Sequence, residues 1–117
     1  MAPNDWTLVL LETPYAGDVD LNTRFARACM RDCLLRREAP FASHLLYTQD
    51  GVLNDLIREE RQLGISAGLA WGGQAQKSVV YMNLGITPGM RIGIERANLE
   101  GRRVQYRNLE GWPNGAE

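Results

Sequence analysis

Apolar residues follow two patterns along the chain, short continuous runs and longer stretches in which they recur every three or four positions. The runs predict strands covered on both faces, at residues 6–13, 39–46, 78–83 and 102–106. The recurring stretches predict helices at residues 20–37, 53–71 and 88–100. This alternation predicts a single α/β domain over residues 1–117, in three layers, with a mainly parallel sheet of four to five strands.

Three loops follow the ends of predicted strands, at residues 14–18, 43–49 and 83–90. Ligands bind at the carboxyl ends of strands in such sheets, so we expect these loops to meet around one site. The first loop offers a hydroxyl, bare backbone amides and a carboxylate, from Tyr15, Ala16, Gly17 and Asp18. The same residues also suit a turn that caps the next helix, with Asp18 or Asp20 as the cap.

The second loop combines His44 with Tyr47 and Gln49. Aromatic stacking and amide hydrogen bonding suit the recognition of a base. A single histidine at a strand end is more often structural than functional.

The third loop leads into the last helix through Thr87, Pro88, Gly89 and Met90. Pro88 suits the first helical position, Gly89 lets a ligand approach the backbone, and Thr87 places a hydroxyl at the positive helix end. These features predict an anion site that needs no lysine. The alternative is a capped helix with nothing bound.

Composition narrows the function classes. The chain is 44% hydrophobic and 23% charged, with net charge −1 and pI near 5.8, so it lacks the basic footprint of a nucleic-acid-binding protein. No apolar run approaches the ~20 residues of a membrane span, and the N-terminus does not resemble a signal peptide. We therefore expect a cytoplasmic protein with neither nucleic acid nor membrane as a partner.

The cysteines and helical glycines favour packing roles. Cys29 and Cys33 share a helix face but, with His44 as the one histidine, do not complete a zinc site, so we expect buried thiols and no metal. Gly64 and Gly68 suggest close packing of their helix against the sheet or a partner. Residues 108–117 are expected to form a loop-like or frayed tail.

Four segments together resemble the nucleoside 2-deoxyribosyltransferase-like superfamily, and within it a small group of bacterial and phage proteins. They are T-P-Y-A-G-D-V-D-L-N at 13–22, A-P-F-A-S-H-L-L-Y-T-Q at 39–49, E-E-R-Q-L-G-I at 59–65 and G-M-R-I-G-I-E-R-A at 89–97. The resemblance implies a Rossmann-like sheet, a homodimer, no cofactor, and a pocket for nucleosides or nucleoside 5′-monophosphates. It also implies that Tyr15 orients a catalytic glutamate and that Thr87 holds a 5′-phosphate, while His44 falls near a histidine that ends the second strand.

The position that the resemblance assigns to the nucleophilic glutamate, four residues after Gly89, holds Gly93. Glu95 lies two residues later, about 200° around the helix at ~100° per residue, so we expect it to point away from the pocket. A second acid expected before the third strand is replaced by A-Q-K-S at 75–78. The leading hypothesis is therefore a pseudoenzyme that binds, and thereby senses or sequesters, a nucleotide or nucleoside, with Gly93 adding room for the ligand.

Two other functions remain open at this point. One is an active N-glycosidase or deoxyribosyltransferase that uses Glu95, or an acid such as Asp18, as its nucleophile. The other is an interaction protein with a vestigial pocket, in which the helix containing Gly64 and Gly68 and the tryptophans form an interface.

Overall fold

The computed structural model describes residues 5–112, which form four strands and four helices. The strands and helices alternate, except that two helices follow the second strand. In chain order they are β1 (Thr7–Glu12), α1 (Val19–Leu35), β2 (Glu38–Phe41), α2 (Ser43–Leu46), α3 (Arg58–Gly72), β3 (Lys77–Tyr81), α4 (Pro88–Leu99) and β4 (Arg103–Arg107).

The strands form one parallel sheet in the order β2-β1-β3-β4, which confirms the predicted α/β class with four strands. The chain leaves β1 through α1 towards β2, on one side, and leaves β3 through α4 towards β4, on the other. The connections from these two neighbouring strands therefore diverge. Parallel sheets open a crevice at the carboxyl ends of two such strands, so the topology itself provides a place for a ligand.

Alternation along β1 sends its side chains to two different environments. Val9 and Leu11 pack in a cluster with Phe25 of α1 and with Tyr81 of β3. Cys29 and Cys33 belong to the same cluster and are fully buried, as predicted. Burial raises the pKa of Cys33 to about 11, so this thiol is unreactive at neutral pH. Glu12 belongs to the other face, because successive strand residues point to opposite sides.

A buried ion cluster ties β2 to β3 and β4 across the sheet. Both nitrogens of the Arg107 guanidinium fork donate to the Glu38 carboxylate at 2.9 Å, and Lys77 Nζ lies 2.9 Å from the same carboxylate. Burial alone would raise the pKa of Glu38, but these hydrogen bonds outweigh it and hold the pKa at about 2. Edge strands are thereby joined through charge as well as through backbone pairing.

The region after β2 differs from the prediction of a strand over residues 39–46. The strand ends at Phe41, and Ser43–Leu46 form one helical turn. Thr48 Oγ1 donates to the His44 carbonyl at 2.5 Å, which satisfies an acceptor at the end of this turn. His44 consequently lies on a helix rather than at a strand end.

The predicted helix at 53–71 begins five residues later, at Arg58. Its expected first turn is opened by Asn54, whose side-chain oxygen accepts from the Leu56 N–H at 3.0 Å and whose own N–H donates to Glu60 Oε1 at 2.7 Å. Local side-chain hydrogen bonds of this kind compete with helix formation. The apolar spacing alone did not reveal this competition.

The helical glycines bring α3 close to other parts of this chain. A Cβ at Gly68 would lie 2.7 Å from Ser43 Cβ, and one at Gly64 would lie 3.3 Å from Leu53 Cδ1. These two glycines therefore face α2 and the loop before α3, rather than the sheet or a partner as expected. A third glycine of α3, Gly72, packs against the sheet, since a Cβ at this position would lie 2.8 Å from Leu10 Cδ1.

Residues 108–112 are irregular but are held in place, in contrast to the expected frayed tail. The buried Asn83 side chain donates to the carbonyls of Leu109 and Trp112 at 3.1 and 3.0 Å, and accepts from the Leu109 N–H at 2.7 Å. Trp112 also contacts Phe25, with ring centroids 5.2 Å apart. The remainder of the predicted tail, residues 113–117, lies outside the described residues. Within the described part of the chain, no helix has the length and apolar character needed to cross a membrane.

Candidate functional site

A cavity of about 410 Å³ opens at the carboxyl edge of the sheet, where the β1 and β3 connections diverge. Its walls come from the end of β1, the turn of α2, one side of α3 from Glu60 to Leu69 and the first turns of α4. The volume lies within the range of small-ligand sites. The three predicted loops do meet here, together with α3, which the sequence analysis had not placed at the site.

Nine of the predicted ligand-binding residues line this cavity, and three do not. Gly17 and Asp18 are exposed beyond its rim, and Gln49 lines a neighbouring, more open depression. Glu95, the candidate nucleophile, is exposed on α4 and does not line the cavity. This agrees with the expectation that it points away from the side of the helix on which Gly93 lies. The nine that line the cavity are Tyr15, Ala16, His44, Tyr47, Thr87, Pro88, Gly89, Met90 and Gly93.

The first loop is shaped by two polar side chains of α1. Asp18 caps this helix by accepting from the Leu21 N–H at 3.1 Å, so its carboxylate is already used. Asn22, which is buried, donates to the carbonyls of Tyr15 and Ala16 at 2.9 and 3.1 Å. Asn22 thereby fixes the loop and positions the Tyr15 ring at the cavity.

His44 forms a polar pair with Thr13 in the cavity wall. Its Nε2 lies 2.6 Å from Thr13 Oγ1, and the Tyr15 ring meets its imidazole edge-on, with centroids 6.4 Å apart. Burial lowers the pKa of His44 to about 4, so the imidazole is neutral at pH 7. A neutral imidazole both donates and accepts, which suits hydrogen bonding to an uncharged ligand group.

The N-terminus of α4 presents a free amide beside a cation. Thr87 caps the helix by accepting from the Met90 N–H at 3.2 Å, and Pro88 has no N–H. Among the described residues none accepts from the Gly89 N–H. The Arg61 guanidinium reaches this turn from α3, because its Nη2 would lie 3.7 Å from a Cβ at Gly89. Arg61 Nη1 also lies 3.7 Å from Asp55 Oδ2, a long ion pair. An arginine and a helix N-terminus side by side attract an anion.

Glu12, the last residue of β1, extends into the space that a side chain at position 93 would occupy. A Cβ built at Gly93 would lie 2.6 Å from Glu12 Cδ and 2.9 Å from Oε1, closer than real Cβ atoms approach. The absence of a side chain at Gly93 therefore lets the Glu12 carboxyl lie directly against α4. No hydrogen bond to this carboxyl is made within residues 5–112.

The surroundings of Glu12 favour its uncharged form. Burial raises the pKa of Glu12 to about 8, although the charge of Arg102 partly opposes the rise. At neutral pH the cavity therefore contains a carboxylic acid, which donates as well as accepts, beside a neutral imidazole.

The described residues contain no group of three or more His, Cys, Asp or Glu side chains arranged to bind a metal ion. The acids of the cavity are instead used individually. Glu60 accepts from the Asn54 N–H, Asp55 pairs with Arg61, and Glu12 faces the cavity.

Comparison with known proteins places the chain in a family without assigning it an activity. A family model described as a domain of unknown function (DUF7768) matches residues 7–107, from the start of β1 to the end of β4. The chain belongs to the DUF7768 family. A search of curated proteins finds no match. The matched region contains every side chain that lines the cavity of this DUF7768 domain.

The sequence analysis missed Glu12 and Arg61 as site residues, since Arg61 appeared there only within the segment at 59–65. Glu12 ends an otherwise apolar strand, and an acid at the carboxyl end of a parallel strand was a usable signal, because ligands bind at that edge. No sequence signal indicates that Arg61 reaches Gly89, because that contact depends on how α3 packs against α4.

The Glu12–Gly93 contact predicts a conditional cost for a methyl group at position 93. Gly93→Ala is expected to destabilise the otherwise unchanged chain by about 1–3 kcal/mol, because the Glu12 carboxyl must move. In a Glu12→Ala background the same change is expected to be neutral or stabilising, since alanine favours the helix by about 1 kcal/mol. Urea unfolding of the four proteins measures this coupling. Gly89→Ala is the matched control, because its Cβ meets ordinary contacts. An equal cost in both backgrounds would show that the contact is absent.

The raised pKa of Glu12 predicts that the carboxyl becomes destabilising as pH rises. Between pH 4.5, the ordinary pKa of a glutamate, and about pH 8 the folded protein retains a proton that the unfolded chain releases, so the free energy of unfolding falls across this window. Glu12→Gln does not titrate, and is expected to gain on the order of 2 kcal/mol over the native chain between pH 4.5 and pH 8. Denaturant unfolding at several pH values tests this, with the exposed Glu95→Gln as control. A gap that narrows with rising pH would mean that the pKa is lowered instead.

Proposed function

We propose that this DUF7768 protein binds a nucleotide or nucleoside in the cavity at the carboxyl edge of its sheet. The observation that carries the proposal is that the Arg61 guanidinium lies beside the free Gly89 N–H at one end of that cavity. A phosphate group satisfies both, through charge and through hydrogen bonds to the guanidinium and the helix N-terminus. The resemblance to the nucleoside 2-deoxyribosyltransferase-like superfamily supports the same class of ligand.

The rest of the cavity suits the nucleoside part of such a ligand. Tyr15, Phe41 and Tyr47 supply aromatic surface, and Phe41 and Tyr47 pack edge-to-face with centroids 6.1 Å apart. His44 and Glu12 supply uncharged donors and acceptors at neutral pH. Sites for small organic ligands combine these properties, with apolar walls and a small number of polar groups that fix orientation.

We favour binding over catalysis. The enzymatic alternative named Glu95, or another acid such as Asp18, as the nucleophile, but Glu95 lies outside the cavity and Asp18 caps α1. Glu12 does face the cavity, but burial raises its pKa to about 8, so at neutral pH it is an uncharged acid and a poor nucleophile. Position 93, one helical turn into the cavity from Gly89, has no side chain. A protein of this design senses or sequesters its ligand.

The resemblance extends the proposal to a homodimer. Size-exclusion chromatography with light scattering is expected to give twice the 13.1 kDa mass of the chain. A mass equal to one chain at micromolar concentration would exclude the homodimer.

Arg61→Gln is expected to weaken nucleoside monophosphates about tenfold or more while leaving nucleosides unchanged, because the guanidinium contacts the phosphate alone. Arg58→Gln is the matched control, since Arg58 is exposed in the first turn of the same helix. A thermal-shift panel of nucleosides, ribo- and deoxyribonucleoside monophosphates and inorganic phosphate identifies the ligand for this comparison.

A ligand at 100 times its Kd adds about 2.7 kcal/mol, which is a rise in Tm on the order of 10 °C for a domain of this size. An equal effect of Arg61→Gln on phosphorylated and unphosphorylated ligands would place the phosphate elsewhere. A flat panel on folded protein would overturn the proposed function.

A further inference from the structure

The carboxyl of Glu12 faces the cavity without a hydrogen bond to any other described residue. The other acids of the cavity wall have partners, because Glu60 accepts from the Asn54 N–H and Asp55 pairs with Arg61. The Thr13 hydroxyl and the His44 ring bond to each other. Glu12 is partly exposed to the cavity and has no hydrogen-bond partner within residues 5–112.

The backbone around Glu12 keeps the carboxyl at this position. It extends from the last residue of a strand paired on both sides, with β2 and with β3. Its carboxyl group lies against Gly93, where any larger residue would displace it. Buried polar groups in folded proteins are normally hydrogen-bonded. The Glu12 carboxyl has no such bond to the described residues and opens on the cavity, so it is free to hydrogen-bond a ligand group that enters there.

We propose that Glu12 is the specificity-determining residue of this cavity and that it binds, as a carboxylic acid, an uncharged ligand group offering an acceptor beside a donor. The O–H of the acid donates to the acceptor, and its carbonyl oxygen accepts from the donor. In a nucleotide two kinds of group have this chemistry, the diol of the sugar and the hydrogen-bonding edge of the base, of which adenine serves here as the probe. The assignment rests on the proposed nucleotide-binding function and adds the protonation state in which the site reads its ligand.

The charge state of Glu12 distinguishes this assignment from the usual role of a glutamate. A carboxylate offers two acceptors and no donor, so it would select a ligand group with two donors or a cation. Desolvation favours the acid form at neutral pH, and a phosphate bound at Arg61 would favour it further. Several other charged or titratable side chains share the surroundings of Glu12. They are His44 of α2, Asp55 of the loop before α3, Glu60 and Arg61 of α3, and Arg102 beside the start of β4. The residues of α4 that line the cavity, Gly93 among them, have no ionisable side chain.

Calorimetric titrations between pH 7 and pH 9.5 test the proposal with three probes. Adenosine 5′-monophosphate has both groups, 2′-deoxyadenosine 5′-monophosphate has the base without the diol, and ribose 5-phosphate has the diol without the base. For a probe that Glu12 reads, affinity is expected to fall about thirtyfold across this range, because a carboxyl with a pKa of about 8 loses its proton. The probe that shows the fall identifies the group that is read.

Two variants separate the role of Glu12 from other effects of pH. Glu12→Gln keeps a donor beside an acceptor, so it is expected to bind within about threefold of the native chain at pH 7 and to lose the pH dependence. Glu12→Leu keeps similar bulk without either group and is expected to bind at least tenfold more weakly. Thermal unfolding confirms that each variant is folded; if the leucine variant is not, the glutamine variant and the pH profile decide.

The opposite results overturn the assignment. An affinity that rises with pH, together with a tenfold loss in Glu12→Gln, would mean that the carboxylate binds. Unchanged binding in Glu12→Leu would mean that Glu12 does not touch the ligand. A native chain that binds no member of the thermal-shift panel at any pH would overturn the proposed function itself, whereas binding with no pH dependence overturns only the role of Glu12.

Discussion

The contact between Glu12 and Gly93 is the constraint on which the cavity depends. A strand end and a helix meet there, and the glutamate side chain takes the place that a residue on the helix would otherwise fill. The carboxyl is therefore present in the cavity even though α4 does not supply one. The carboxyl extends from the end of a strand that pairs with β2 as far as Leu10 and with β3 as far as Glu12 itself. The acid of this cavity is therefore supplied by a strand and not by α4.

Both titratable groups at this end of the cavity are uncharged at pH 7, and for Glu12 this is the reverse of a glutamate in water. Burial keeps His44 neutral and raises the pKa of Glu12 to about 8, so at pH 7 the acid retains its proton and the base has none. The positive charge is instead placed at the other end, on Arg61 beside the N-terminus of α4. A ligand with one anionic end and one uncharged polar end matches this distribution, and a nucleotide has that form.

Sequence patterns predicted the sheet and the three loops at its edge, because apolar runs and helical periodicity report burial directly. They placed α3 five residues too early, since Asn54 opens the first turn through local hydrogen bonds that apolar spacing does not register. Most of the predicted site residues line the cavity because they follow strand ends. Glu12 and Arg61 were not identified, because their roles depend on the approach of α4 to β1 and of α3 to α4. Such distances between elements are set by packing and are not encoded in any single segment.

The most direct measurement is a carboxyl-carbon NMR titration of the protein, with Glu12→Gln used to assign the Glu12 signal. The account predicts a midpoint near pH 8 for the free protein, and a higher midpoint with adenosine 5′-monophosphate bound, because the ligand binds the acid form. A midpoint near 4.5, or one that saturating nucleotide leaves unchanged, would contradict the assignment of Glu12 as the uncharged group that reads the ligand.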